Sequence, residues 1–145
     1  MPSNNYSNGL LEIQRQTINF VTDDIQALVV GSGFSFNKGH TFVSEISGEV
    51  SGTGYERKSL TNKSISLSTG SPDKIQFNAD ELIYTDVDVS PDDFTSVVIF
   101  KQVTGDADSR LLCVVDIPNI STNGTTITVR FDGNVVMEAE NPIAV

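Results

Sequence analysis

Residues 96–117 of the chain read SVVIFKQVTGDADSRLLCVVDI, and this stretch decides the fold. Two runs rich in Val, Ile and Leu flank a polar turn at residues 104–108. Each run is too short for an independent helix and is enriched in β-branched side chains, so the pattern predicts a hairpin of two largely buried strands. A sheet is therefore expected at the centre of the fold.

The segments around the hairpin are short and are separated by turn signals at intervals of roughly 8–12 residues, which is typical of all-β domains. Residues 125–131 alternate apolar and polar side chains as a half-buried strand does, and residues 135–139 are expected to pair back across a tight turn at 132–134. Residues 55–67 are polar and predict solvent-facing strands. The predicted fold is mainly β: an antiparallel β-sandwich or barrel-like domain with one N-terminal α-helix.

The chain divides into a short N-terminal segment, a main domain that begins with a helical pattern, and a C-terminal tail. Residues 1–9 hold little apolar material and predict a flexible arm, or a strand that only a partner orders. Residues 10–30 place apolar side chains at mostly helical spacings, which predicts one amphipathic helix or a helix that runs into a strand over residues 25–30. Residues 10–140 are expected to form a single β-rich domain, with residues 141–145 as a C-terminal tail.

Length and charge exclude several classes of function. The 145 residues can bury a core without metal or disulfide support. The chain carries 19 acidic and 9 basic side chains, a net charge of −10, and it has no Lys/Arg cluster, which argues against direct nucleic-acid binding. Residues 1–9 lack the basic segment and the apolar segment of a secretory signal. No run reaches the ~18 apolar residues of a membrane span. We expect the chain to be made as a soluble cytosolic product, with no membrane partner.

Reactive residues are scarce. Cys113 is the single cysteine and lies in a run expected to be a buried strand, where a thiol acts as a small apolar filler. His40 is the single histidine, which excludes a histidine-based metal cage, and its position beside turn residues predicts a surface side chain. The sequence predicts a non-enzymatic protein with no catalytic, cofactor-binding or metal-ligating residue.

Two acidic segments, residues 86–93 and 106–108, offer oxygen ligands for Ca²⁺. Neither has the alternate spacing and the closing Glu of an EF-hand loop, so we interpret them as solvated turn carboxylates. Glu81, Asp86 and Asp88 are the candidates for a pair of glycosidase carboxylates. Tryptophan is absent and only three tyrosines are present, so the composition does not support a sugar-binding cleft around them.

A series of short blocks gives the chain a family resemblance. The blocks are HTFVSEI (40–46), LTNK (60–63), ADELIY (79–84), SVVIFK (96–101), GD (105–106), SRLL (109–112) and NG (123–124) through ITVRF (127–131). Together they resemble small virion structural proteins of tailed bacteriophages over most of residues 17–135. The resemblance rests on spaced hydrophobic blocks and turns and carries no chemical motif.

The resemblance implies a role in assembly. It implies a capsid cement or decoration protein that sits on the capsid exterior and binds the major capsid protein lattice. Capsid geometry leads us to expect a closed homo-oligomer, a trimer on threefold or quasi-threefold positions. Two alternatives stay open: a neck, tail or baseplate component, and a carbohydrate-binding adhesion module.

Overall fold

A computed structural model of the chain describes residues 3–68 and 74–140. The chain is mainly β, with antiparallel sheets and one α-helix near the start of the described residues, which confirms the predicted fold class. In chain order the elements are β1 (Ser3–Asn5), α1 (Ser7–Gln14), β2 (Ile25–Val30), β3 (Lys58–Ser59), β4 (Ser64–Ser68), β5 (Lys74–Asn78), β6 (Leu82–Val87), β7 (Asp93–Lys101), β8 (Arg110–Ser121), β9 (Thr125–Val129) and β10 (Val135–Glu140), with 3-10 turns at Val43–Glu45 and Asp132–Asn134.

The strands of the described residues form three antiparallel sheets. A five-stranded sheet has the order β1-β8-β7-β2-β3, a three-stranded sheet the order β10-β5-β4, and β6 pairs with β9. The predicted hairpin is confirmed: β7 and β8 pair with Val98 opposite Val114. Because β2 pairs along the other edge of β7, the first strand of the hairpin lies in the interior of the largest sheet.

The main core lies between the five-stranded sheet and the two smaller sheets. It joins alternate residues of β2, β7 and β8 to apolar side chains of the facing strands, so the fold is sandwich-like. The members with no exposed surface are Ile25, Ala27, Val29, Tyr84, Val87, Phe94, Val97, Ile99, Leu112, Cys113 and Met137.

A second, smaller apolar cluster covers the opposite face of the same sheet. Side chains from β2, β7 and β8 meet Tyr6, Val43 and the partly buried Phe34 and Ile46 there. Strand β7 is thus buried on both faces, which explains why its sequence is a continuous apolar run and does not alternate. The sheet members of this cluster are Leu28, Val30, Val98, Phe100, Leu111 and Val114.

The prediction of a flexible arm over residues 1–9 is wrong for residues 3–9, which belong to the fold; residues 1–2 lie outside the described residues. Strand β1 pairs with β8, with Ser3 opposite Val115, and α1 begins at Ser7. Between them Tyr6 is fully buried, and its backbone N–H donates to the Leu112 carbonyl at 2.9 Å. One buried ring and an edge ladder order a segment whose composition is polar.

The helix is shorter than the pattern over residues 10–30 predicts, whereas the strand Ile25–Val30 is confirmed. Gln16 adopts a left-handed backbone with φ 65°, which ends the helix after Gln14. The Thr17 hydroxyl then donates to the Glu12 carbonyl at 3.0 Å and also to the Glu12 carboxylate. The remaining apolar residues of the pattern lie in a loop and in β2.

The predicted pairing of residues 135–139 with the preceding strand is wrong. Strand β10 pairs with β5, with Met137 opposite Phe77, whereas β9 pairs with β6. The 3-10 turn Asp132–Asn134 directs the chain from one small sheet to the other, so it does not close a hairpin. The predicted tail, residues 141–145, lies outside the described residues.

Tyr6 provides a test of this anchored N-terminal segment. Tyr6→Ala is expected to lower the free energy of unfolding by about 3–5 kcal/mol, because it removes a fully buried aromatic side chain. The Tyr6 hydroxyl has no hydrogen-bond partner among the described residues, so Tyr6→Phe should leave stability unchanged or raise it by about 1 kcal/mol. Urea denaturation followed by circular dichroism measures both. A loss below about 1 kcal/mol for Tyr6→Ala would show that the segment is outside the cooperative fold.

Candidate interaction surface

The structure places the two reactive side chains that the sequence singled out, Cys113 and His40, in separate parts of the fold. Cys113 is fully buried in β8, and burial raises the pKa of its thiol. The Nε2 atom of His40 lies 4.0 Å from the Glu45 carboxylate in a loop. The contacts of these two side chains are with the Val136 carbonyl and the Glu45 carboxylate, so the described residues do not pair either one with a hydroxyl or thiol nucleophile.

The acidic candidates Glu81 and Asp88 each have hydrogen-bond partners of their own. Glu81 accepts a hydrogen bond from Arg130 at 2.9 Å. Asp88 accepts hydrogen bonds from the Ser90 backbone and hydroxyl, which lower the pKa of its carboxyl group. Within residues 3–68 and 74–140, no group of three or more His, Cys, Asp or Glu side chains is placed to hold a metal ion.

Asp106 belongs to an ion-pair network around Arg57. The guanidinium donates to the Asp106 carboxylate at 2.7 and 3.1 Å and to the Glu49 carboxylate at 2.8 and 2.9 Å, and it lies 5.5 Å from the centre of the Phe100 ring. Tyr55 donates its hydroxyl to Glu49 at 2.7 Å. The network ties the loop that covers the smaller cluster to the turn between β7 and β8, so its role is structural.

An open groove lies along α1, and we call it the α1 groove. It has a volume of about 520 Å³ and is bounded by β1, α1 and the loop after β2. Leu11 and Phe36 supply apolar surface that is 42% and 38% exposed. The other lining residues are Asn4, Asn5, Ser7, Leu10, Gln14 and Lys38.

Two contacts fix the sides of the α1 groove. One is the close packing of α1 on β8, and the other joins two aromatic rings. A Cβ atom added at Gly9 would lie 2.0 Å from the Leu111 carbonyl oxygen, so only glycine lets the helix approach β8 this closely. The Phe36 ring packs on buried Tyr6 with 5.1 Å between ring centres. Residues 34–36 read Phe-Ser-Phe, a short apolar and polar alternation, but the position of Phe36 beside the helix depends on the long-range contact with Tyr6.

A second exposed apolar surface lies on β4, and we call the strand Ser64–Ser68 the β4 overhang. Ile65 and Leu67 are 48% and 58% exposed. They stand opposite Phe77 and Ile75 of β5, so they share the inward, apolar face of the three-stranded sheet. At this edge the three-stranded sheet extends beyond the side chains that cover its inward face. A hollow of about 480 Å³ lies beside Ile65.

The outer edge of β4 has no strand beside it among the described residues, because β4 ends the order β10-β5-β4. Its sequence, SISLS, contains no charge and no proline, the devices that usually protect an edge strand. The prediction of solvent-facing strands in this region is confirmed for β4. The alternation of serine with Ile65 and Leu67, without any charged residue, is the sequence signal for an exposed edge strand. The pattern does not show on which face of the sheet Ile65 and Leu67 lie.

Comparisons with known proteins found no relative for this chain: no protein-family model, no curated sequence and no solved structure matches it. In the part of the chain that the structure describes, no helix is long and apolar enough to cross a membrane.

The Arg57 network predicts a pH dependence of stability. Hydrogen bonds from Arg57 lower the pKa of the Asp106 carboxyl group below its usual 3.8. A carboxyl group whose pKa is lower in the folded state stabilises the fold above its unfolded pKa, and this stabilisation is lost as the pH falls through the folded pKa. The difference in melting temperature between the native chain and Asp106→Asn should therefore be present near neutral pH and close progressively in acid below pH 3.8.

Thermal melts over a series of pH values measure this difference. Asp108→Asn is the matched control, since Asp108 lies in the same turn and forms none of the Arg57 hydrogen bonds. A difference for Asp106→Asn that does not vary with pH would contradict the ion-pair explanation.

Proposed function

We propose that this chain is a non-enzymatic virion structural protein, a capsid cement or decoration protein that binds the outer surface of the major capsid protein lattice and stabilises the shell. The resemblance in sequence blocks to phage virion proteins supplies the biological setting. The observation that carries the assembly role is the apolar surface at the α1 groove, which stands on a firmly packed core. Exposed apolar patches with polar rims are typical of protein interaction sites.

The α1 groove has the make-up of a contact site for a protein lattice. Leu11 and Phe36 offer apolar anchors, and the amides of Asn4 and Gln14 offer donors and acceptors around them. Interfaces concentrate binding energy in a few apolar and aromatic anchors with a polar rim, so this combination fits docking of a capsid protein segment.

The charge of the chain suits a protein that is made free and assembled later. A net charge of −10 keeps separate copies soluble at high concentration. Contacts to the shell then rely on apolar anchors and hydrogen bonds, because like-charged copies packed on one lattice repel each other. The trimer on threefold positions remains our prediction for the assembled state.

Two alternative functions have distinct signatures. A neck, tail or baseplate component would be present in about a dozen copies per particle, whereas a cement protein would be present in hundreds, set by shell symmetry. A carbohydrate-binding module is favoured by one observation, the exposed Phe36 ring beside the amides of Asn4 and Gln14, because sugars stack on rings and bond to amides.

Binding to shells that lack this protein tests the proposal. The double variant Leu11→Ser with Phe36→Ser should bind such shells at least about tenfold more weakly than the native chain, because it removes both apolar anchors. Co-sedimentation at graded protein concentration measures the affinity. Counting copies per virion by quantitative mass spectrometry should give hundreds.

Val21→Ser is the matched control, since Val21 is also 42% exposed and does not line the α1 groove. Equal shell binding by the native chain and the double variant would remove the groove from the contact. About a dozen copies per particle would replace the cement proposal with the tail alternative. Binding to oligosaccharides that Phe36→Ser abolishes, with no binding to shells, would favour the carbohydrate module.

A further inference from the structure

We propose that the β4 overhang is a self-association site, at which β4 of one copy pairs antiparallel with β4 of a second copy about a two-fold axis at Ser66. The pairing would join two three-stranded sheets into one six-stranded sheet with the order β10-β5-β4-β4-β5-β10. It does not depend on the capsid proposal, since it concerns a different surface and needs only copies of this chain.

The sequence of the strand fits pairing with a second copy of itself. SISLS has the same pattern of polar and apolar residues in both directions, with Ser66 at its centre. In the antiparallel register centred on Ser66, Ile65 faces the second copy's Leu67, and Leu67 faces the second copy's Ile65. At the centre Ser66 faces the second copy's Ser66. A second copy offers this matching strand by symmetry, so the pairing needs no partner other than the chain itself.

The geometry of the sheet keeps the apolar faces together. A two-fold axis perpendicular to the sheet leaves the inner faces of both copies on the same side, so four exposed apolar side chains become cross-strand neighbours. Alternate residues of an edge strand direct their N–H and C=O groups outward, and the two-fold axis brings these groups together reciprocally. The polar face is already ordered by hydrogen bonds from Asn78 to the hydroxyls of Ser64 and Ser66.

The charges near β4 do not oppose the pairing. Lys63, just before the strand, donates to the Asp23 carbonyl of its own chain, and Lys74, opposite Ser68, lies 3.9 Å from the Glu138 carboxylate. The strand itself is uncharged although the chain carries −10. Repulsion between whole copies is screened by salt, so the association should strengthen as ionic strength rises.

The strand is short, and this sets the expected strength. A contact centred on Ile65, Ser66 and Leu67, with four apolar side chains, buries less than the roughly 1,200 Å² of a standard stable interface. The contact is therefore a weak, concentration-dependent dimer in free solution. On a shell, where copies are held close together, the same contact gains from the high local concentration. An isologous pair closes at two copies, so it leaves other surfaces free for threefold contacts.

Paired charge substitutions at Ile65 and Leu67 test both the site and its register. Sedimentation equilibrium should give the native chain a mean mass that rises with concentration from 15.7 kDa towards twice that value. Ile65→Lys with Leu67→Lys places lysine against lysine across the two-fold axis and should hold the mass at that of the monomer. Ile65→Lys with Leu67→Glu places lysine against glutamate and should restore the dimer.

Ile83→Lys is the matched control, because Ile83 of β6 is 49% exposed and lies outside the three-stranded sheet; it should leave the dimer unchanged. Circular dichroism confirms folding of each variant, and all three positions are already about half exposed. A native mass that stays at 15.7 kDa up to roughly millimolar protein would overturn the proposal. So would an oligomer that the double lysine variant leaves intact, or a lysine–glutamate variant that stays monomeric. Failure of shell binding leaves this result unaffected, so the two proposals are tested separately.

Discussion

Burial of β7 on both faces is the constraint on which the rest of the structure depends. One face packs under the two smaller sheets, and the other would expose Val98 and Phe100 to water at a cost of about 25 cal/mol per Å² of apolar surface. Tyr6 and residues of the long connection between β2 and β3 bury this second face of the sheet. That connection is therefore part of the core, and the Arg57 ion pairs fix it to the turn between β7 and β8.

The elements that the sequence predicts correctly are those whose signals are local. The hairpin of β7 and β8, the strand β2 and the half-buried strand β9 each show their burial in their own residues, as apolar runs or as alternation. Strand β1 is the opposite case, because Ser3–Asn5 contains no apolar side chain and becomes a strand only through pairing with β8. Likewise β10 has a neighbour in sequence, β9, that is not its neighbour in the sheet.

The β4 overhang and the α1 groove also differ in how much of each the sequence predicts. The polar, exposed character of β4 is evident in its sequence, whereas the placement of Ile65 and Leu67 beyond the cover of the core requires the register with β5. Leu11 and Phe36 are 25 positions apart, and no periodicity joins them. They face one groove because Tyr6 is buried between the helix and the sheet and the Phe36 ring packs on it. Sites made by long-range packing give little signal in one sequence.

The burial of Tyr6 couples binding at the α1 groove to the local folding of the N-terminal segment. Strand β1, Tyr6 and α1 make up most of the α1 groove, so whenever this segment opens as a unit the groove ceases to exist. The apparent affinity for any occupant is then the intrinsic affinity multiplied by the fraction of molecules in which the segment is closed. By the same thermodynamic linkage, an occupant of the groove slows hydrogen exchange along α1 and holds the segment on the sheet.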